Sequence, residues 1–290
     1  MTTITSTSPL PRAATEFATE WANWHSDHES RRASEHGFLA VTGLHWLDAA
    51  PTRFPDAPGE WSTSTNGPAV DLAPGESLEL DGLTLTGRVE FGVIPERGGR
   101  TARFVDHTST ATATPVTVEI EVARRGGHDI IRPRHPAHPL RTAYRGTPTY
   151  APDPNWRVAG RYVAFDTPRE VTVGAAVEGL HHVYEAPGRI EFEANGAPLT
   201  LTVFNGFTPG SFLALFTDAT SGVTTYAANR SLTIEPADAD GAVVIDFNRA
   251  TNLPCAYTDF ATCPLPPAEN RLSVAVEAGE KIPLERGGQS

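Results

Sequence analysis

Ser77-Leu78-Glu79-Leu80-Asp81-Gly82-Leu83-Thr84-Leu85-Thr86 is the stretch that decides the fold class. Apolar and polar residues alternate on both sides of Asp81-Gly82, so each side presents one apolar face at period two. The dipeptide between them accepts the positive φ values of a two-residue hairpin turn. The same pattern recurs downstream. Val116 to Val122 alternates, turns through Arg124-Arg125-Gly126-Gly127 and resumes at Asp129; Arg189 to Glu193 turns at Asn195-Gly196 into Leu199 to Phe204. Further strands are expected at Arg157 to Phe165, Glu170 to Val177, Phe212 to Phe216, Val223 to Tyr226, Ser231 to Ile234, Ala242 to Phe247 and Leu272 to Val276. Short strands at this spacing indicate a mainly β protein, an antiparallel barrel or two packed β lobes.

Upstream of this texture, residues 12 to 36 place Phe17, Trp21, Trp24 and His28 at three- and four-residue steps, which is one amphipathic helix stopped by Gly37. Its aromatic stripe is expected to pack against the rest of the fold, and His25 and His28 lack a second ligand pair that would make them a metal site. Residues 1 to 11 read as a disordered Ser/Thr leader, and 37 to 285 as the β-rich region. The Pro-, His- and Arg-rich stretch Ile131 to Asn155 serves either as a link between lobes 37–138 and 139–285 or as a long loop over one barrel.

The chain has 290 residues and a formal net charge of −12, which opposes long-range attraction to nucleic acid or anionic membrane. The leader has no basic n-region or apolar h-region, and no apolar run approaches a bilayer span, so a cytoplasmic location with reduced cysteines is expected. There is no Gly-x-Ser-x-Gly elbow, Gly-x-Gly-x-x-Gly, Walker-type Gly-Lys-Ser/Thr or His-Glu-x-x-His. These absences disfavour common serine hydrolases, Rossmann oxidoreductases, nucleotide kinases and zincins. No motif names a cofactor.

The run from Asp246 to Arg271 holds both cysteines, Cys255 and Cys263, between Pro254, Pro264, Pro266 and Pro267. Polar groups stiffened by prolines suggest an ordered loop that closes a small-molecule pocket. On a strand, Asp246 and Asn248 share a face, and Tyr226 and Arg230 have matching parity on an earlier strand. Together they form a candidate acid–base pocket: Asp246 as base, Tyr226 as acid, Arg230 or Arg249 holding an anionic group of the substrate. The alternative is a structural ion pair locking the loop. Glu269 is a further acid or base, Asn270 an orienting amide or a turn residue, and Tyr257 and Arg141 are candidate ligand contacts. His45 and Trp46 complete the set. His45 with Cys255 and Cys263 would form a metal site if the three converge, and buried packing thiols are the plainer reading. A non-catalytic metabolite-binding module using the same pocket is the competing class.

With these motifs in view, the chain resembles the bacterial family catalogued as domain of unknown function 1684. The resemblance rests on Gly37-Phe-Leu-Ala-Val-Thr-Gly-Leu-His45-Trp46-Leu47, Pro139-Leu-Arg141, Tyr144-Arg-Gly146, Pro152-Asp-Pro-Asn-Trp156-Arg157, Asp218-Ala-Thr-Ser-Gly222, Thr225-Tyr226, Asn229-Arg230 and the whole Asp246 to Arg271 run. It implies a β-rich fold and no settled activity. Between Arg53 and Asn66 the chain departs from the Gly- and Asn-rich stretch usual in members, which weighs, with the acidic charge, against a phosphopeptide-reading role for the N-terminal lobe.

Overall fold

The computed structural model describes residues 12–107 and 115–285; the expected leader, 1–11, lies outside them. The chain is mainly antiparallel β. The decisive hairpin pairs β5 (Leu78–Leu80) with β6 (Leu83–Leu85), Leu80 opposite Leu83, and Asp81 and Gly82 take φ of 52° and 77°. Asn195 and Gly196 do the same, at 51° and 71°, between β12 (His181–Ala194) and β13 (Ala197–Asn205). Both are the turn whose twist matches that of paired strands.

Three sheets carry the fold. The first has the order β1-β10-β9-β8-β5-β6, adding β1 (His45–Trp46), β8 (Gly99–Asp106), β9 (Val116–Arg125) and β10 (His128–Arg134) to the hairpin. The second joins β2 (Thr52–Arg53), β3 (Glu60–Ser64), β4 (Gly67–Asp71) and β7 (Arg88–Glu90) in that order. Trp61, Val70 and Val89 of the second sheet share one core with Leu78, Ala102, Ile120 and Ile131 of the first, so the two sheets face each other. Full burial of Trp61 contributes roughly 2–3 kcal/mol. On the outer face of the first sheet, Glu121 of β9 receives Arg132 at 2.6 Å, Arg125 at 2.9 Å and also Arg134. This is a cross-strand charge ladder.

The third sheet has the order β15-β14-β13-β12-β11-β16 and adds β11 (Arg157–Gly174), β14 (Phe212–Phe216), β15 (Arg230–Ile234) and β16 (Ala242–Asp246). It curls into a half-barrel. Ile190, Leu201, Phe216 and Ile245 fill its inner face together with Phe247, Leu272, Val276 and Ala278 from the C-terminal segment. That segment plugs the open side of the curl.

Several expectations change here. Val223 to Tyr226 is not a strand: a turn over 222–224, closed by Gly222 N donating to Thr225 O at 2.9 Å, leads into irregular chain at Tyr226, and Leu272 to Val276 is irregular chain laid against the core. Strands β3 and β4 precede Ser77; the Ser/Thr-rich Glu60–Ser64 and the Pro68 in its partner concealed them in a pattern based on apolar alternation. The N-terminal helix, α1, spans Arg12–Arg32 and ends before Gly37. Its stripe packs as expected: Trp21 Nε1 donates to the Asn248 carbonyl at 2.9 Å, and Trp24 lies under the Arg249 guanidinium. Among the described residues no helix is long and apolar enough to cross a membrane.

Candidate functional site

Arg32 lies one helical turn beyond both His28 and Glu29 on α1, and these residues meet the chain at Tyr144–Thr147, Tyr257 and Glu280. Arg32, 3% exposed, is the hub. One of its terminal nitrogens donates to Glu29 Oε1 at 2.6 Å and Thr147 Oγ1 at 2.5 Å; the other reaches His28 Nε2 and Glu280 Oε1, both at 2.6 Å. Its guanidinium carbon also sits 4.9 Å from the centre of the Tyr257 ring. A guanidinium only donates, so His28 accepts through Nε2 and carries its proton on Nδ1.

A line of hydroxyls runs through this hub. Tyr144 OH donates to Glu29 Oε2 at 2.5 Å, Thr147 Oγ1 lies 2.6 Å from Tyr144 OH, and Tyr257 OH lies 2.6 Å from Thr147 Oγ1. Because Tyr144 gives its proton to Glu29, it accepts from Thr147, which accepts in turn from Tyr257. The chain therefore has one sense, from Tyr257 outward to Glu29. At its inner end Tyr257 OH is 3.4 Å from Glu280 Oε2, which also accepts the Asn252 amide at 2.6 Å.

Burial sets the electrostatics. It pushes the phenols of Tyr144 and Tyr257 well above the ordinary tyrosine range, and Arg32 offsets only part of the effect, so both stay protonated. Burial alone would also raise Glu280, which is 1% exposed, but neighbouring His28 and Arg32 hold it below the usual carboxylate range. The 2.6 Å bond from Arg32, rather than the 3.5 Å approach of His28, carries that stabilisation. Among the described residues, His28, Glu29 and Glu280 form the one group whose ligating atoms lie within 4.8 Å of one another. The Arg32 guanidinium already bonds all three. It takes the place a metal ion would need, so the donor set does not fit a metal while Arg32 is there.

The outer end of the hydroxyl chain opens on a broad groove of about 670 Å³, floored by Glu29, Tyr144 and Thr147 and walled by His25, Ala33 and Pro148. Gly146 at φ +97° turns the backbone so that Thr147 N donates to Glu29 Oε2 at 3.2 Å. His25 Nε2, on the groove wall, is buried and has no hydrogen-bond partner. Such an orphan in a concave site is a place for a ligand atom. At the rim, Arg145 uses one terminal nitrogen to hold the carbonyls of Thr142 and Tyr144 at 3.2 and 2.9 Å, leaving the rest of its fork facing outward.

Of the sequence-predicted residues, only Tyr257 belongs to this network. Asp246 caps the single turn Phe247–Arg249: it accepts the Asn248 amide at 3.1 Å and side chain at 2.9 Å, and Arg249 approaches to 3.4 Å. Arg249 also pairs with Glu20 at 2.6 Å. Arg230, 1% exposed, bonds Asp218 at 2.7 Å and the Val276 carbonyl at 3.0 Å, staples the Ala278 carbonyl, and so fixes the C-terminal plug. Tyr226 OH donates to the Cys255 carbonyl at 2.9 Å. Asp246, Tyr226 and Arg230 thus sit in three separate networks. The shared parity that was to unite them required Tyr226 on a strand, and it lies beyond a turn.

The remaining candidates hold backbone. Asn248 exchanges two bonds with the main chain of Asp153, at 2.8 and 3.0 Å. Asn270 bridges Thr202 and Leu215, each bond 2.8 Å, while Glu269 is exposed beside Thr202 Oγ1 at 3.2 Å. Arg141 closes the end of the α1 region on the carbonyls of Ala33 and Ser34, both at 3.1 Å. Cys255 and Cys263 are buried, not joined by a disulfide, and linked by the Cys255 amide to Cys263 Sγ at 3.3 Å. His45 bonds Asp56 at 2.7 Å instead of approaching the thiols, and Trp46 packs edge-on to His128. None of the five cavities described is lined by a residue from 246 to 271.

The reading from sequence missed Glu29, Arg32, Thr147 and Glu280. One signal was present: Glu29–Arg32 and His28–Arg32 stand at i,i+3 and i,i+4 on the helix, and Tyr144-Arg-Gly146 was already among the distinctive motifs.

Residues 142–281 match the family model described as "Protein of unknown function (DUF1684)". The chain belongs to this family. The DUF1684 match takes in Tyr144, Thr147, Tyr257 and Glu280, whereas the α1 residues lie before it. An uncharacterized protein of Haloarcula marismortui, solved by solution NMR, is 31% identical, with 50% of this chain and 81% of that chain covered at a TM-score of 0.42. No curated protein matches the chain.

Proposed function

We propose that this DUF1684 protein binds a small organic acid in the groove between α1 and residues 144–148, and moves a proton on it through Tyr144 and Glu29. The observation that carries this reading is the one-way chain Tyr257–Thr147–Tyr144–Glu29, which ends at the floor of the largest cavity described. Arg145 supplies an outward-facing fork suited to a carboxylate at the rim, and His25 Nε2 supplies an unpaired site on the wall. Arg32 is shared between Glu29 and Glu280, so the floor keeps a net negative charge and the acid is held by Arg145 at the rim. Tyr144 stays protonated and hydrogen-bonds the ligand's carbonyl oxygen, while the Glu29 carboxylate takes the proton from the adjacent carbon and returns it, so no proton is drawn from the buried hydroxyls.

The test is a titration of ¹⁵N-labelled protein with small 2-oxo acids, matched alcohols and matched amines. Saturable shifts at the Gly146 and Thr147 amides for the acids, weakened in Arg145→Gln, are expected. Shifts confined to another surface would refute the site. Deuterium wash-in from heavy water at the carbon next to the carbonyl, abolished in Tyr144→Phe while binding persists, separates catalysis from the second reading, a metabolite-binding module without turnover.

A further inference from the structure

A second cavity, of about 330 Å³ and sharing no lining residue with the groove, lies between the end of β8, the chain that follows β10 and the loop before β3. Its polar lining is Thr42, Asp56, Asp106, His135 and His138. Asp56 receives His45 Nε2 at 2.7 Å and Thr42 Oγ1 at 2.6 Å. Burial alone would raise this carboxyl, but those two bonds bring it below its ordinary range, so it is charged at neutral pH. Gly43 makes the arrangement possible: a Cβ there would lie 2.7 Å from His45 Nε2 and 2.9 Å from Asp56 Oδ2.

Two histidines face the same space with fixed tautomers. The Ala137 amide donates to His135 Nδ1 at 3.1 Å, so the ring proton sits on Nε2, directed at Asp106 Oδ2 3.3 Å away. His138 has the opposite sense. Its Nδ1 lies 3.1 Å from the Leu39 carbonyl and must donate to it, which leaves Nε2 as an acceptor. Phe104, Pro55 and Pro139 form apolar walls, and no lysine or arginine is among the lining residues.

Asp56, Asp106 and His138 therefore present two carboxylates and an imidazole lone pair. Their ligating atoms do not gather within 4.8 Å of one another, since among the described residues only the His28 group does. They therefore do not make the compact donor set of a metal ion. A spread set of acceptors suits a ligand with separated donors, and the aromatic wall at Phe104 suits a planar or alkyl body.

We propose that this cavity is a binding site, independent of the groove, for a small organic cation with two or more separated N–H donors, a guanidinium or a short diamine. Asp56 and Asp106 supply the countercharge, His138 Nε2 takes a third donor, and Phe104 with the prolines covers the body of the ligand. The net acidity of the chain favours approach of such a molecule.

Calorimetric titration with methylguanidine and with 1,4-diaminobutane, against butanol and butyrate, tests the proposal. Saturable binding of the two cations but not of the neutral or anionic partners is expected. Asp56→Asn is expected to weaken it at least about tenfold. Because Asp56→Asn also removes contacts to His45 and Thr42, Ala137→Leu provides a second variant that narrows the cavity and keeps the carboxylate; it should weaken binding as well. Glu29→Gln should leave cation binding unchanged. Absence of saturation below about 10 mM, undiminished binding in both cavity variants, or loss of binding in Glu29→Gln instead would overturn the assignment.

Discussion

Replacing Arg32 by Met removes the hub of the buried network while keeping most of its hydrocarbon volume. The structure sets the magnitude. The side chain of Glu280 is 2% exposed, and Arg32 is its 2.6 Å partner, so the variant leaves a carboxylate with no cation bonded to it in the interior. Breaking one side of a buried pair costs about 3–5 kcal/mol, because the abandoned charge keeps its desolvation penalty. The pH dependence identifies the cause. In the natural protein the folded-state pKa of Glu280 is depressed, so its contribution is present above the unfolded value near 4.5 and is lost as pH falls through the folded value. Without Arg32, burial dominates and the folded pKa rises above the unfolded one. The folded variant then holds its proton more tightly, with full stability below pH 4.5 and loss as pH rises through the raised value. Urea unfolding at pH 7.5 and pH 4.5 should therefore show a large deficit at the higher pH that shrinks at the lower. A deficit under about 1 kcal/mol at pH 7.5, or the same deficit at both, would refute the assignment of Glu280 as a buried charge held by Arg32.

Glu121 is held down to about 2 chiefly by Arg132 and Arg134 against its own burial, so its contribution is present above pH 4.5 and is lost only as pH falls toward 2; Glu121→Gln should cost about 1–3 kcal/mol at pH 7 and little at pH 2, read from unfolding at the two pH values. The hydrogen bond shared with Cys255, together with burial, holds the Cys263 thiol well above the ordinary cysteine range, so native protein at pH 8 should resist an aromatic disulfide reagent that labels both cysteines in denaturant; rapid labelling of the native state would contradict the buried placement. Asp246→Ala should cost about 1 kcal/mol of stability through loss of the cap, with ligand-induced shifts at Gly146 and Thr147 unchanged; loss of those shifts in a folded variant would return Asp246 to the functional site.

What was legible in the sequence depended on the range of the interaction that each residue serves. Hairpins at Asp81-Gly82 and Asn195-Gly196 are written within a few residues, since the turn dipeptide and the alternation beside it fix both register and face, and the β class followed from them. The long curl of β11 and β12 was legible only in pieces, because the register shifts between Ala164 and Arg169, which breaks one continuous strand into two apparent ones. The site is a different case. Arg32 and Glu280 are separated by 248 positions and meet only after the C-terminal segment has plugged the half-barrel, an outcome that no local pattern encodes. Asp246, Arg230 and Asn270 drew attention because polar residues in a proline-stiffened run usually act on something, and here they act on the chain itself: they cap its turn, staple its plug and bridge its strands. That use follows from the architecture. A sheet that curls without closing needs its open side filled by irregular chain, whose backbone groups lack ladder partners and must be satisfied by side chains. The chemically rich C-terminal motif is therefore the structural solution to an unclosed barrel. The groove we propose for a ligand lies instead where the helix meets residues 144–148, at Glu29, Tyr144 and Thr147.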